Sequence, residues 1–236
     1  NVEWKVIGAN QKHFDYYCKH SRHGGANMLV TGVPKIDPVI RLKKEGISLP
    51  SGWEKIRGKK VVLWNSWFDI AVSSFRFFKE IFSWFEIHED CALIWRPHPM
   101  TETVVKLYFP EQYSYWENCI KKVQNMANAV LDTESSYLPA FACSDAQISD
   151  HSSLMQQYLL MDKPLLWINT LATDLTGEEF VSTKWMERAD NAEEVICFLD
   201  QIRFGKDATA EVRKSIIQKD IPFADGRCGE RVCRIL

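Results

Sequence analysis

Short, mostly apolar runs recur along the chain, and most are followed by a longer stretch with helical spacing. Residues 60–64 (KVVLW), 91–95 (CALIW), 129–131 (AVL) and 164–168 (PLLWI) carry apolar side chains on successive rather than alternate positions, and 146–149 (AQIS) reads as a further short strand. A strand of that kind is buried on both faces, the habit of parallel sheets. The spacing turns helical over residues 111–126, 138–143, 152–161, 192–204 and 208–218, with a last helical piece near 229–236. Residues 73–85 crowd Phe75, Phe78, Phe82 and Phe85 onto mixed helical spacing. The alternation predicts an α/β fold: a Rossmann-like parallel sheet with helices on both faces and right-handed crossovers.

A smaller block precedes this one. Residues 4–7 and 28–31 read as short strands, and 12–20 and 39–42 as helical. Residues 46–58, with Pro50 and Gly52, read as a linker. The division is therefore 1–50 and 51–236.

Composition narrows the class. Of 236 residues, 46% are hydrophobic and 25% charged, enough apolar sequence for a packed core and too much for disorder. A net charge of −2 supplies no basic field for nucleic acid. No apolar run approaches the ~20 residues of a membrane helix. The seven cysteines include no C-x-x-C pair. The number is odd and the spacing irregular; several sit in apolar contexts, where free cysteine behaves as a small hydrophobe, and the set points to a reducing, cytoplasmic compartment.

Candidate chemistry follows from the fold class. In open parallel sheets, ligands bind beyond the carboxyl ends of the strands, near the point where the strand order reverses. After 60–64 come Asn65 and Ser66, small polar groups suited to a phosphate and equally to a turn. After 91–95 comes Arg96-Pro97-His98-Pro99. Two prolines stiffen that loop. Arg96 offers a fork for phosphate oxygens, and His98 an acid, a base or a donor near neutral pH; the bland alternative is a turn with a solvated histidine. After 146–149 come Asp150, His151, Ser152 and Ser153 ahead of a helix, a combination that binds anions or merely caps. Asp69, Asp145 and Asp174 are candidate ribose or metal partners, more simply read as turn or strand-end residues. Neither a Walker loop nor G-x-G-x-x-G occurs, and no residue set has metal-ligand spacing. One arginine, one histidine and two serines suit a diphosphate.

These motifs, in order, resemble the CDP-glycerol glycerophosphotransferase family, the teichoic-acid polymerase type. The resemblance rests on residues 59–68 (KKVVLWNSWF), 93–99 (LIWRPHP), 144–167 (SDAQISDHSSLMQQYLLMDKPLLW) and 225–235 (DGRCGERVCRI), with 30–37 (VTGVPKID) similar to the end of the family's N-terminal domain. It implies a GT-B architecture, in which residues 1–50 end an N-terminal Rossmann-like domain and 51–236 form the C-terminal, nucleotide-donor-binding domain. It implies His98 as a catalytic histidine, Ser152 and Ser153 on the donor pyrophosphate, Asp150 organising their loop, and Arg96, Asn65 and Ser66 lining the same crevice.

The implied activity is transfer of a polyol phosphate such as glycerol phosphate from a CDP-activated donor to a surface polymer, teichoic acid or capsule. No cofactor or metal beyond the donor is implied. The acceptor is a polymer or lipid-linked chain, and the setting is cytoplasmic, with peripheral contact at the inner membrane face left open. Two alternatives stay in view: a GT-B nucleotide-sugar glycosyltransferase and a non-catalytic nucleotide-binding module. The sequence departs from the family in placing His151 where tyrosine is usual and Asn65-Ser66 where Pro-Thr is usual. The family's Trp-His-Gly-Thr motif is not found here. His23-Gly24 lacks its Trp and Thr and sits too near residue 30, so the N-terminal acceptor domain is expected to lie outside this chain.

Overall fold

The computed structural model describes residues 5–171 and 181–235; position 4 and Asp174 lie outside them. The first segment runs β1 (Val6–Gly8), α1 (Gln11–His20), β2 (Met28–Val30) and α2 (Asp37–Glu45). The main body continues with β3 (Lys60–Asn65), α3 (Phe78–Ile87), β4 (Cys91–Trp95), α4 (Thr101–Tyr108), α5 (Tyr113–Asn125), β5 (Ala129–Leu131), α6 (Leu138–Cys143), β6 (Ala146–Ser149), α7 (Leu154–Tyr158) and β7 (Leu165–Ile168). It closes with β8 (Glu187–Ala189), α8 (Ala192–Arg203), α9 (Ala210–Asp220) and α10 (Cys228–Ile235).

β1 and β2 form a parallel pair, and the other strands one six-stranded sheet in the order β5-β4-β3-β6-β7-β8. Every neighbouring pair is parallel. The Rossmann-like expectation holds, and the two-residue period of a strand explains the packing. Val62 and Trp64 of β3 face one layer, where the aromatics of α3 join α5 and α8. Val61 and Leu63 face the other, built from α2, α6 and α7. Trp64 and Trp95 stack with centroids 5.6 Å apart. Phe75, Phe78, Phe82 and Phe85 are buried, so most of the aromatic run is core, while Trp67 and Phe68 stay half-exposed.

Several expectations change. α2 does not stay with the first block: Val39 is fully buried, and Ile40 and Leu42 nearly so, in the main sheet's second layer. Asp37 at its start accepts the Cys228 and Gly229 N–H groups at 3.0 and 2.8 Å, which ties α10 to it. The supposed linker contains a 3-10 turn (Glu54–Ile56) that buries Trp53 and Ile56, with Lys55 Nζ reaching the Met126 carbonyl at 3.1 Å. α4 and β8 carried no readable pattern. α4 has only Val104 and Val105 as buried apolar residues, and β8 is Glu-Arg-Ala. The helix expected from residue 111 begins at Tyr113, after a one-turn 3-10 segment (Pro110–Gln112).

Candidate functional site

The strand order reverses between β3 and β6: chain order runs β3-β4-β5 to one side and β6-β7-β8 to the other. Registers Trp64↔Trp95, Asn65↔Ser149 and Ser149↔Trp167 bring the exits of β4, β3, β6 and β7 to a common edge.

Asp150 builds the middle of that edge. Its side chain is fully buried. Oδ1 accepts the N–H groups of Trp67 (2.8 Å) and His151 (2.7 Å), and Oδ2 accepts the Ser74 N–H (2.6 Å). Burial pushes its pKa up, against the pull of those N–H groups. A carboxylate so enclosed touches no donor phosphate. Its role is to knit the β3 and β6 exit loops together. Asn65 is likewise internal: Nδ2 donates to Ser149 Oγ at 2.9 Å, and its Oδ1 accepts from Gln147 Nε2. Asn65, expected to line the crevice, is consumed by the sheet edge, and Asp150, a candidate phosphate-binding group expected to organise the loop, has both oxygens engaged there. Ser66 differs, because its Oγ is buried without a hydrogen-bond partner.

The Arg96 guanidinium was also expected on a phosphate, and protein groups hold it instead. Nη1 donates to Asp132 Oδ2 at 2.7 Å and Nη2 to the Glu134 carbonyl at 3.0 Å. The Asp132 side chain is fully buried, and burial raises its pKa although Arg96 draws it back. The pair clamps the β4 exit loop to the β5 exit loop. That clamp sets His98, whose Nδ1 accepts the Met100 N–H at 3.2 Å. The neutral ring therefore carries its proton on Nε2. Burial lowers the His98 pKa below the usual imidazole value, which favours this neutral, Nε2–H form.

A file of rings joins the two loops. His98 lies 5.3 Å from Phe68, Phe68 4.9 Å from Trp67, and Trp67 5.4 Å from His151, centroid to centroid. Ser152 follows, its Oγ accepting the Leu154 N–H at 3.2 Å. Ser153 is exposed, and its side chain makes no capping bond to α7. His98, Trp67, His151 and Ser152 thus share one edge. A cavity of about 480 Å³ is lined by His98 together with Pro97, Trp116, Lys121, Thr133 and Glu134, and does not extend to Ser152. Among the described residues no cluster of three or more His, Cys, Asp or Glu could hold a metal ion, and no helix is long and apolar enough to cross a membrane. Residues 132–134 and 169–170 follow β5 and β7, where the rule that ligands bind beyond strand ends also points, although their own residue types form no motif.

A parallel sheet in this order, with polar groups gathered on both sides of its reversal point, defines an α/β domain of the GT-B kind. Residues 3–236 match the family described as CDP-Glycerol:Poly(glycerophosphate) glycerophosphotransferase, and the chain belongs to it. Among solved structures, it is similar to the wall teichoic acid polymerase TagF in a CDPG-soaked variant, at 14% identity over 98% of this chain and 56% of that one (TM-score 0.56). It is also similar to a UDP-N-acetylglucosamine 2-epimerase (16%, 98% and 56%, TM-score 0.62) and to the UDP-GlcNAc 2-epimerase of Neisseria meningitidis bound to UDP-GlcNAc (14%, 98% and 60%, TM-score 0.64). At such identity these likenesses speak to the fold alone. No curated protein matches the sequence.

Proposed function

We propose that this chain holds the phosphates of a CDP-linked donor over the β3/β6 edge and serves the transfer of a polyol phosphate to a surface polymer such as teichoic acid. The observation that carries this is His98: a stiff loop, clamped by Arg96 and Asp132, presents an imidazole whose only uncommitted nitrogen is a proton donor. An acceptor hydroxyl attacks the donor's β-phosphorus; the bond to the nucleoside monophosphate breaks and negative charge grows on its oxygen. His98 Nε2–H donates to that oxygen, and Ser66, Ser152 and Ser153 offer hydroxyls to the other phosphate oxygens, stabilising charge where it develops. Because the neutral ring already bears its Nε2 proton, His98 serves as donor or acid, and the acceptor's proton goes to a group outside this set. Arg96, Asp132, Asp150 and Asn65 position the loops. The cavity beside His98 is large enough for a nucleoside portion. We further infer that the acceptor is polymer- or lipid-linked, that a separate N-terminal domain binds it, and that the reaction takes place in the cytoplasm at the inner face of the membrane.

Calorimetric titration with CDP, CMP, UDP and UMP tests the site. CDP should bind most tightly. A preference for UDP would move the function to nucleotide-sugar transfer, and binding without turnover by the full-length protein would leave a non-catalytic module. Absence of binding by every nucleotide would remove the site.

A further inference from the structure

Phosphates brought to this edge carry negative charge, and the obvious cations near it are engaged. Arg96 is bound to Asp132, and Arg188 on β8 is paired with Asp190 at 2.9 Å. Arg76, which the sequence motifs pass over, is placed differently. It sits on the 3-10 turn Ser74–Phe77 between β3 and α3. The Ser74 N–H bond to Asp150 fastens this turn to the β6 exit. From there Arg76 Nη1 reaches the Thr170 carbonyl, beyond the end of β7. β6 lies between β3 and β7. The side chain therefore spans from a turn anchored at Asp150 to the neighbouring exit, beside the loop that bears His151 and Ser152.

Two features suit that guanidinium to a ligand. Its bond to Thr170 is 3.5 Å long and exposed, an interaction readily exchanged for a phosphate oxygen. Its other contact among the described residues is a cation–π stack on Phe77 at 4.8 Å, which orients the fork, and none of the described carboxylates pairs with it. Independently, a row of buried polar atoms without hydrogen-bond partners follows the exits of β3, β6 and β7: Ser66 Oγ, His151 Nε2, Asn169 Oδ1 and Thr170 Oγ1. Ser66 is 4% exposed and Asn169 3%. The Asn169 amide cannot be turned to hide its oxygen, because Nδ2 donates to Asp190 Oδ1 at 3.1 Å and a carboxylate only accepts. Such orphaned groups in a folded protein call for a missing partner. The hydroxyls can donate to phosphate oxygens, while Asn169 Oδ1 can only accept, which fits a hydroxyl carried on the same ligand.

We propose that Arg76 is the phosphate-binding cation of this chain, reaching across the β6 exit to a diphosphate seated over Ser66, His151 and Thr170, with Asn169 accepting from a ligand hydroxyl. This rests on the function proposed above, and one set of titrations separates the two. Wild type, Arg76→Gln and Arg76→Lys are titrated with CDP, cytidine and inorganic pyrophosphate. Arg76→Gln should weaken CDP and pyrophosphate roughly 10- to 100-fold, the scale of a lost charge-assisted hydrogen bond. Arg76→Lys should fall between, lacking the fork, and cytidine should be unaffected. Arg76 is exposed, so all three proteins should share one melting temperature. Equal CDP and pyrophosphate affinities in wild type and Arg76→Gln would overturn the role of Arg76 and leave the nucleotide site standing. Arg76-dependent binding of pyrophosphate without binding of CDP would support Arg76 as an anion ligand and overturn the nucleotide. A wild type that binds neither overturns both.

Discussion

Replacing Asp150 with asparagine tests whether the edge is held by a single buried carboxylate. The two side chains have the same shape, but the amide has one oxygen instead of two. If that oxygen stays on Trp67 and His151, the new NH2 group faces the Ser74 N–H, donor against donor, where a 2.6 Å bond had been. The turned amide loses two bonds rather than one, so the first arrangement is the cheaper. Its cost is one hydrogen bond to a charged acceptor together with a buried N–H left without a partner, ~2–4 kcal/mol in all. Removing a buried charge returns some desolvation energy, which keeps the estimate toward its lower end. Against the ~5–15 kcal/mol of a typical domain, the variant should still fold. Urea denaturation followed by tryptophan fluorescence should show a lower midpoint at unchanged slope. CDP affinity should fall as well, since the turn carrying Arg76 loses its bond to the β6 exit. A variant within ~0.5 kcal/mol of wild type, inside the range of an ordinary surface change, would refute this account of how the loops are joined.

Arg96→Ala leaves Asp132 buried without its partner and should cost about 3–5 kcal/mol in the same urea assay, with weaker CDP binding; an unchanged midpoint would deny the clamp. Arg213→Ala should cost a similar ~3–5 kcal/mol without touching nucleotide affinity, because that buried guanidinium joins Asp162 (3.0 Å) and Asp207 (2.6 Å) away from the edge. His98→Ala should lower turnover of the full-length enzyme by ~10²-fold or more, and near-normal rates would remove His98 from the chemistry. The folded pKa of His98 is depressed, so its contribution to stability is present above the unfolded value and lost as pH falls through the folded one. His98→Gln should accordingly flatten the stability–pH curve below about pH 6.5, its unperturbed value.

The sheet was legible because its strands announce themselves: β4, β5 and β7 are uninterrupted hydrophobic runs, and such runs mean burial on both faces. β8 was not, because an edge strand of Glu-Arg-Ala has one buried residue and no run to detect. The spacing of residues 39–42 states that a face is buried, not against what, and in the structure Val39 packs in the second layer of the main sheet. At the site, the location of the motifs was readable and the direction of the side chains was not. Arg96 and Asp150 sit at strand exits as the fold rule requires, yet their partners Asp132 and Ser74 lie 36 and 76 residues away along the chain. Arg76 gave no signal at all, since nothing in its neighbours marks a turn that will be tied to Asp150.

The fates of these side chains share a physical cause. A site for an anion must present donors outward and keep its own carboxylates from facing the ligand, because a buried like charge raises the cost of bringing the phosphate in. Asp150 and Asp132 are both strand-exit acids, and both have their oxygens engaged by N–H or guanidinium groups. The groups these strand exits keep free of carboxylates are able to donate: the buried Ser66 and Thr170 hydroxyls, the Ser152 and Ser153 hydroxyls, the His98 Nε2–H and the Arg76 fork. The acids supply rigidity, since each joins two loops from adjacent strands, and preorganised donors are worth most when they need no rearrangement to meet developing charge. On this view Arg96 follows the same logic from the other side: it is the cation that allows Asp132 to be buried, and burying Asp132 is what fixes the loop on which His98 stands.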